Sequence, residues 1–157
     1  MCATFEYQIT TEMENRINIE KVEPAAFKAM YALQGYLATS QITKIHAELV
    51  KIRASQINGC AFCINMHTKE ARKNGETEQR IYLLNAWKET SLFNEEEKAV
   101  LALTEEITLI SKGGVDTETY QKAIALFGEN YVAQLIMLAV TINAWNRIAV
   151  TTQLQPV

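Results

Sequence analysis

Apolar residues recur at intervals of three and four through most of this chain, and this spacing constrains the fold more than any other feature. A helix turns once in about 3.6 residues, so the interval gathers apolar side chains on one helical face, whereas a strand would need an interval of two. Both prolines, Pro24 and Pro156, stand where they would not interrupt a helix. The glycines cluster at apparent breaks between the periodic segments. The chain is therefore predicted to be all-α.

Six to seven helices are predicted, over residues of roughly 24–39, 40–58, 60–74, 77–88, 94–107, 116–127 and 129–150. Pro24 suits a first helical turn, and Ser40 and Asp116 suit N-caps. Asn94 begins a capping-box-like sequence whose acidic residues would lie at the positive helix end. The last helix is apolar on most sides, so we expect it at the centre of the core or between subunits.

The 157 residues are most simply one domain, residues 1–157. A chain of this length can bury roughly 70% of its unfolded surface without disulfide or metal staples. Residues 1–20 are predicted to be extended or to form an arm that contacts another copy of the chain. A short extended piece at residues 5–9 is the best candidate for a strand.

Charge and hydropathy exclude several classes of partner. The formal net charge is −3, and no run of Lys and Arg reaches four residues, so the basic face that nucleic acid or a membrane surface requires is missing. The first ten residues have neither the basic start nor the apolar run of a signal peptide. The apolar stretch at residues 135–140 is far short of the ~20 residues that cross a bilayer. We expect a cytoplasmic protein without nucleic-acid or membrane partners.

Reactive side chains are concentrated within twenty residues of a chain that has only three cysteines and two histidines. Cys60 and Cys63 form a C-x-x-C pair, and His67 follows one helical turn after Cys63. At about 100° per residue, these three side chains share one face of a helix. Glu48 belongs to the preceding helix, and its carboxylate faces the pair if the turn at residues 58–59 folds the two helices back. We interpret this cluster as a thiol redox centre.

Each group has a chemical role in this interpretation. A free thiol with a pKa near 8.5 is only a few per cent ionised at neutral pH, and the thiolate is the nucleophile. His67 can accept the proton of Cys63, and Glu48 can orient or extend that proton relay. Cys63 would attack an oxidant and become a sulfenic acid, which Cys60 would resolve to a disulfide.

A zinc site is the alternative reading of the same residues. With His67 as third ligand, the fourth would come from Glu48, Cys2 or His46, but the chain has no second C-x-x-C to complete a standard site. We therefore expect no metal. Cys2 is expected to be a bystander, and His46 is expected to be exposed on the other side of its helix.

The spacing Glu48, then Cys60-x-x-Cys63-x-x-x-His67, resembles the signature of the AhpD-like alkylhydroperoxidases of the carboxymuconolactone decarboxylase superfamily. The surrounding residues 58–71 look like the small single-domain members, with the sequence NGCAFCINMHTKEA. A weaker likeness extends over about residues 25–110, and the late segment NAWNR, residues 143–147, also looks like a recurring part of these proteins.

The resemblance implies an all-helical AhpD-like fold, assembly as a homotrimer or homohexamer, and thiol peroxidase or disulfide reductase activity. By this likeness Cys63 is the peroxidatic thiol and Cys60 the resolving thiol, with Glu48 and His67 as the proton relay. No bound cofactor is implied, but an external dithiol reductant is required. One position departs from the family pattern: Phe62 stands where the best-studied type has a second histidine, so one proton-handling group is lost while the dithiol remains.

Several other residues invite a prediction. Arg147 is expected either in solvent at a helix end or paired with a carboxylate such as Glu48 or Glu105 across a subunit interface. Tyr82 and Trp87 are expected to be core aromatics. Three side chains beside the thiols are expected either to line a small apolar pocket or to belong to the core or an interface. They are Phe62, Ile64 and Met66. The acidic residues 95–97 are expected to start a helix in water and not to bind metal.

The leading hypothesis is an enzyme that reduces hydroperoxides through a Cys63/Cys60 dithiol cycle, restored by a lipoyl or thioredoxin-type donor. A lactone decarboxylase, the other activity of the superfamily, is the second hypothesis, although such an enzyme is not expected to require a C-x-x-C pair. A redox sensor that oxidises without turning over is the third.

Overall fold

The computed structural model describes residues 16–156, and this part of the chain is built from helices with no strand. Seven α-helices follow in order: α1 (Ile19–Val22), α2 (Pro24–Ala38), α3 (Lys44–Asn58), α4 (Ala61–Lys73), α5 (Glu78–Leu83), α6 (Glu95–Thr108) and α7 (Thr117–Thr151). Two 3₁₀ segments, Leu84–Glu89 and Ile110–Lys112, join α5 to α6 and α6 to α7. The all-α prediction and the number of helices are confirmed. The strand predicted at residues 5–9 lies outside the described residues, and a short helix not predicted begins at Ile19.

Most helix starts lie where the capping residues predicted them. Pro24 occupies the first turn of α2, and the Asp116 side chain accepts a hydrogen bond from Glu118 N–H at the start of α7. Asn94 and Glu97 form a complete capping box at the start of α6, each side chain accepting from the other's backbone N–H. These interactions span two or three residues, which is why the sequence was sufficient to locate them.

The start of α3 was predicted wrongly. Thr43, not Ser40, is the N-cap, because its side chain accepts a hydrogen bond from His46 N–H. Residues 40–42 form a connection that is held by two side chains of α7. Gln134 accepts a hydrogen bond from Gln41 N–H, and the Tyr131 hydroxyl accepts one from Thr43 N–H. A contact with a helix ninety residues away therefore decides where α3 begins.

Two other boundaries differ from the prediction. The fourth predicted helix is α-helical only over Glu78–Leu83 and then tightens into the 3₁₀ segment Leu84–Glu89. The two predicted last helices are joined through Gly128, whose φ of 75° lies in the left-handed region that glycine adopts most readily. Gly128 thus changes the direction of the chain without an intervening loop.

Helix α3 is the centre of the molecule because it contributes residues to the two larger hydrophobic clusters. One of its faces contacts α6 and α7 through buried residues that include Val50, Val100, Leu103 and Leu135. The opposite face packs on α6 and the segment 84–93, through Leu49, Ile52, Leu84, Trp87, Phe93 and Leu101. Each such side chain contributes roughly 1.5–3 kcal/mol by leaving water. This packing fixes α3 as the platform of the site described below.

Two predictions about individual side chains in this region are wrong and one is confirmed. Tyr82 is 70% exposed and lies outside the core, whereas Trp87 is buried as predicted. Glu97 was expected in water but is buried, because its carboxylate is bonded to the guanidinium of Arg80 with a closest distance of 2.6 Å. The Arg80 guanidinium also stacks over the ring of Phe93. The sequence could not show that an arginine seventeen residues earlier would cover this helix start.

Helices α2 and α7 keep large apolar side chains on the surface of the single chain. No residue of α2 is fully buried, and Tyr31 and Tyr36 are about half exposed. Within residues 16–156, α7 is the one helix long and apolar enough to cross a membrane, although a core helix of a water-soluble protein meets the same criteria. Only 28% of its most apolar window is buried, so much of this helix is available to a neighbour.

Candidate redox site at the start of helix α4

Cys60 and Cys63 are joined by a disulfide whose Cα atoms are 5.3 Å apart. Helix α3 ends at Gly59, which has a φ of 67°, and the reversal brings Cys60 to the N-cap of α4. The Cys60 Sγ accepts a hydrogen bond of 3.3 Å from Cys63 N–H. Helix N-termini favour anionic sulfur, because their N–H groups are unpaired and the helix dipole is positive there.

A buried network of amides fixes the turn that carries Cys60. The Asn58 side chain donates hydrogen bonds of 2.9 Å to the side-chain oxygens of Asn143 and Asn146 in α7. Asn146, which is fully buried, donates in turn to the Ser55 hydroxyl at 2.9 Å. The backbone carbonyl oxygen of Ser55 also accepts a hydrogen bond from the backbone N–H of Cys60. The first cysteine is thus tied to the last helix through four polar residues.

Glu48 contacts His67, because the turn at residues 58–59 folds α4 back along α3. The His67 Nδ1–H donates to Glu48 Oε2 at 3.1 Å, and Lys51 Nζ donates to Glu48 Oε1 at 2.8 Å. Burial by itself raises the pKa of Glu48, but the hydrogen bonds from His67 and Lys51 and the charge of Lys51 outweigh it. The pKa of Glu48 is therefore lowered, and this carboxylate is ionised at neutral pH. Lys51 is a site residue that sequence reasoning missed, although its position three residues after Glu48 was a visible signal.

A cavity of about 1020 Å³ lies between α2, α3, α4 and α7. Cys63, His67 and Glu48 all line it, whereas Cys60 does not. Both sulfurs belong to residues that are at most 2% exposed, so a molecule approaching the disulfide reaches Cys63 from this cavity. Such a volume is typical of sites for small organic molecules.

The part of the cavity lined by α2 and α7 is aromatic. Phe27 and Tyr31 of α2 place their rings against Trp145 of α7, with centroid distances of 5.3 Å and 5.6 Å. Phe62 and Met66 of α4 also line the cavity, as predicted, but Ile64 does not. The contribution of α2 was not predicted, because its contacts with α7 join residues more than one hundred positions apart.

One further prediction near the site is wrong, and another agrees with the structure. His46 was expected to be exposed, but it is only 6% exposed and its Nδ1 lies 2.8 Å from the Tyr131 hydroxyl. Burial lowers the pKa of His46, against the opposing charges of Glu96 and Glu97. Arg147 is exposed near the end of α7, which agrees with the first of its two predicted positions, and its guanidinium donates to the backbone carbonyl and side-chain oxygens of Asn143. Cys2 lies outside the described residues.

Metal binding has no support in the arrangement of the described side chains. Between residues 16 and 156, no three His, Cys, Asp or Glu side chains come together as a metal site would require. The two cysteines that a zinc ion would need are bonded to each other.

Comparison with known proteins agrees with this fold. The family model of the carboxymuconolactone decarboxylase family matches residues 24–106, a segment that contains both cysteines, His67 and Glu48. The uncharacterised protein YdfG of Bacillus subtilis is 45% identical over 138 residues, which cover 88% of this chain and 94% of YdfG.

Two solved structures share the fold. A protein of unknown function from Agrobacterium tumefaciens, for which a role as the antioxidant defence protein AhpD has been suggested, superposes with a TM-score of 0.88 at 38% identity. The match covers 92% of this chain and 99% of the Agrobacterium chain. An uncharacterised peroxidase-related protein from Silicibacter sp. TM1040 has a TM-score of 0.73 at 23% identity, over 89% of this chain and 72% of its own, and shows the fold alone.

Fold and site together define a class of small all-helical proteins in which a C-x-x-C pair begins a helix beside a glutamate–histidine pair. Within that class, the chain belongs to the carboxymuconolactone decarboxylase family as an AhpD-like member.

Proposed function

We propose that this protein is a thiol peroxidase that reduces hydroperoxides through the Cys63/Cys60 dithiol. One observation carries the proposal: the disulfide-forming Cys63 and the hydrogen-bonded Glu48–His67 pair line the same cavity. A redox-active thiol, a proton acceptor and room for an organic substrate are thereby brought together. The suggested antioxidant role of the Agrobacterium relative supports the same activity.

In the reduced enzyme, His67 takes the proton of the Cys63 thiol. Its Nδ1 is held by Glu48, so Nε2 is the nitrogen left for this transfer, and the ionised carboxylate stabilises the imidazolium that forms. The Cys63 thiolate attacks the outer oxygen of the hydroperoxide, and the O–O bond breaks. The leaving alkoxide receives the proton from His67 and departs as an alcohol, while Cys63 becomes a sulfenic acid.

Cys60 closes the cycle. Its thiolate, at the start of α4, attacks the sulfur of the Cys63 sulfenic acid, and the S–O bond breaks. The hydroxide released takes up a proton to form water, and the observed disulfide remains. A dithiol donor of lipoyl or thioredoxin type then reduces the disulfide by thiol–disulfide exchange at Cys63, the cysteine that lines the cavity. The protein needs no bound cofactor for this chemistry.

We further propose that the protein acts in the cytoplasm as a homotrimer or homohexamer. Large apolar side chains on α2 and α7 remain exposed in the single chain, among them Tyr31, Tyr36, Val140 and Val150. Contact with another copy would remove these side chains from water.

Steady-state peroxide consumption with a dithiol donor tests the activity. Replacing Cys63 by serine should abolish turnover, and Cys60→Ser should allow a single oxidation that gains one oxygen atom at Cys63, detectable by mass spectrometry. Cys2→Ser is the matched control and should turn over normally. Undiminished turnover in Cys63→Ser would exclude the mechanism. Lactone decarboxylation that survives alkylation of the thiols would instead identify the other activity of the family.

A further inference from the structure

The hydrogen bonds of the amide network between α3 and α7 can run in only one direction. The Ser55 hydroxyl donates to the Lys51 carbonyl oxygen at 2.7 Å, so it must accept from the NH₂ group of Asn146. The NH₂ group of Asn143 faces the carbonyl oxygen of Ala139 at 2.8 Å, which can only accept. The side-chain oxygens of Asn143 and Asn146 are therefore both left to face one further side chain on α3.

Asn58 is that side chain, and it supplies the two N–H donors that the two oxygens require. Its NH₂ group donates to Asn143 and Asn146 at 2.9 Å each. An alanine in this position would leave both amide oxygens without this donor. Asn58 is the last residue of α3, and Cys60 follows two residues later as the N-cap of α4. The network thus holds the chain immediately before the turn that presents Cys60.

Helix α7 also contributes to the packing around the cysteines. Ala149 follows Asn146 by three residues, so both lie on one face of α7, and Ala149 forms a small buried cluster with Cys60 and Cys63. The Cys60 backbone N–H is bonded to the Ser55 carbonyl oxygen at 2.9 Å. Cys60 is therefore held by its own backbone, by the turn before it and by packing in this cluster. Its Sγ is directed at Cys63, whose N–H it accepts at 3.3 Å.

We infer that Asn58 is a positioning residue for the resolving step and thereby protects Cys63 from overoxidation. The peroxide part of this inference rests on the proposed function, whereas the positioning of Cys60 does not. Two reactions compete for the sulfur of the Cys63 sulfenic acid. In one, the Cys60 thiolate attacks, the S–O bond breaks, and the hydroxide takes up a proton to form water. In the other, a second hydroperoxide transfers its outer oxygen to the sulfur and leaves as an alcohol, which produces a sulfinic acid.

The position of Cys60 decides which reaction is faster. A thiolate held beside its target reacts as an intramolecular group at a high effective concentration. Loss of the Asn58 donors frees the turn and lowers that concentration. Attack by hydroperoxide on Cys63 is unaffected, because Asn58 does not line the cavity. One neutral hydrogen bond corresponds to a factor of about two to ten, and we expect the resolving step to slow by this factor.

Overoxidation during turnover is the first test. Asn58→Ala and the wild type should be given excess cumene hydroperoxide and a dithiol donor, and the Cys63 peptide examined by mass spectrometry for two added oxygen atoms. The sulfinic fraction per turnover should rise in Asn58→Ala by about two- to tenfold. Asn94→Ala is the matched control, because it removes a hydrogen bond of 2.9 Å from a helix start that does not line the cavity. An unchanged fraction in Asn58→Ala, or an equal rise in both variants, would overturn the inference.

The equilibrium of the disulfide with dithiothreitol tests the positioning without any peroxide. Asn58→Ala should shift the equilibrium constant toward the dithiol by about two- to tenfold, and Asn94→Ala should leave it unchanged. Asn58→Ser, which keeps one donor, should shift it in the same direction by less. An unchanged constant in both Asn58 variants would overturn the inference. Absence of peroxide turnover in the wild type, together with the expected shifts, would overturn the proposed function and leave the positioning role of Asn58 standing.

Discussion

Replacing Glu48 by glutamine tests whether the buried carboxylate serves the reaction or only the fold. Glutamine keeps the size and shape of the side chain but removes the negative charge. It also places an amide NH₂ or a neutral oxygen opposite two donors, His67 Nδ1–H at 3.1 Å and Lys51 Nζ at 2.8 Å. One of these contacts must therefore be lost, and the imidazolium that forms when His67 takes a proton loses its counter-charge.

The size of the effect follows from the contact that is lost. A hydrogen bond to a charged group contributes roughly 1.5–3 kcal/mol. If that stabilisation is needed in the transition state, its loss lowers kcat/KM by about 10- to 150-fold. The low exposure of Glu48 and His67, 8% and 12% for the side chains, means that solvent screens the pair only weakly.

Glu105→Gln is the matched control. Glu105 is also a mostly buried carboxylate, with Arg53, Lys88 and Trp87 as partners and a lowered pKa, but it does not line the cavity. Peroxide consumption and thermal unfolding should be measured for both variants. Both should lose stability, and only Glu48→Gln should lose kcat/KM. Equal losses of activity in the two variants, or wild-type activity in Glu48→Gln, would refute the assigned role of the carboxylate.

Three further predictions concern the surroundings of the site. Lys51→Met should raise the pKa of Glu48 and so move the acid limb of the kcat/KM–pH profile to higher pH. Lys88→Met, which removes a partner of Glu105, is the control and should leave the acid limb unchanged. An unmoved acid limb in Lys51→Met would contradict the role given to Lys51. The pKa of His46 is lowered in the folded state, so its stabilising contribution is complete above pH 6.5 and is lost as the pH falls through the folded pKa. The His46→Gln variant should accordingly lose less Tm below pH 6.5 than the wild type does. An identical dependence of Tm on pH in the two proteins would exclude this role. Asn146→Ala should lower the free energy of unfolding by about 2–4 kcal/mol in chemical denaturation, because it leaves buried partners unpaired; a change under about 0.5 kcal/mol would show that the network is dispensable.

Interactions between close neighbours in the chain were predictable. The capping box at Asn94, the Asp116 cap and the turn at Gly59 all depend on residues within four positions. The C-x-x-C pair is equally local, because one helical turn sets the distance between Cys60 and Cys63. Periodicity likewise predicted the all-α fold, since it depends only on which residues share a helical face.

Predictions failed where a distant helix supplied the partner. Ser40 looked like an N-cap, but the side chains of α7 hold residues 40–42 in a connection, and Thr43 became the cap instead. His46 was predicted to lie at the surface, but Tyr131 of α7 covers it. Glu97 looked solvated until Arg80 paired with it. In each case the local pattern predicted the helix correctly but could not show which distant residue would contact it.

By itself, the sequence determined a helical chain with a reactive dithiol at the start of one helix and a histidine one turn later. Only the tertiary structure decided that Cys63 and not Cys60 lines a cavity, that Lys51 helps to keep Glu48 ionised, and that aromatic residues of α2 and α7 line the same cavity. The physical reason is distance along the chain. Helical spacing and caps are set by residues within one turn, whereas the cavity is closed by α2 and α7, whose contact depends on the packing of the whole core.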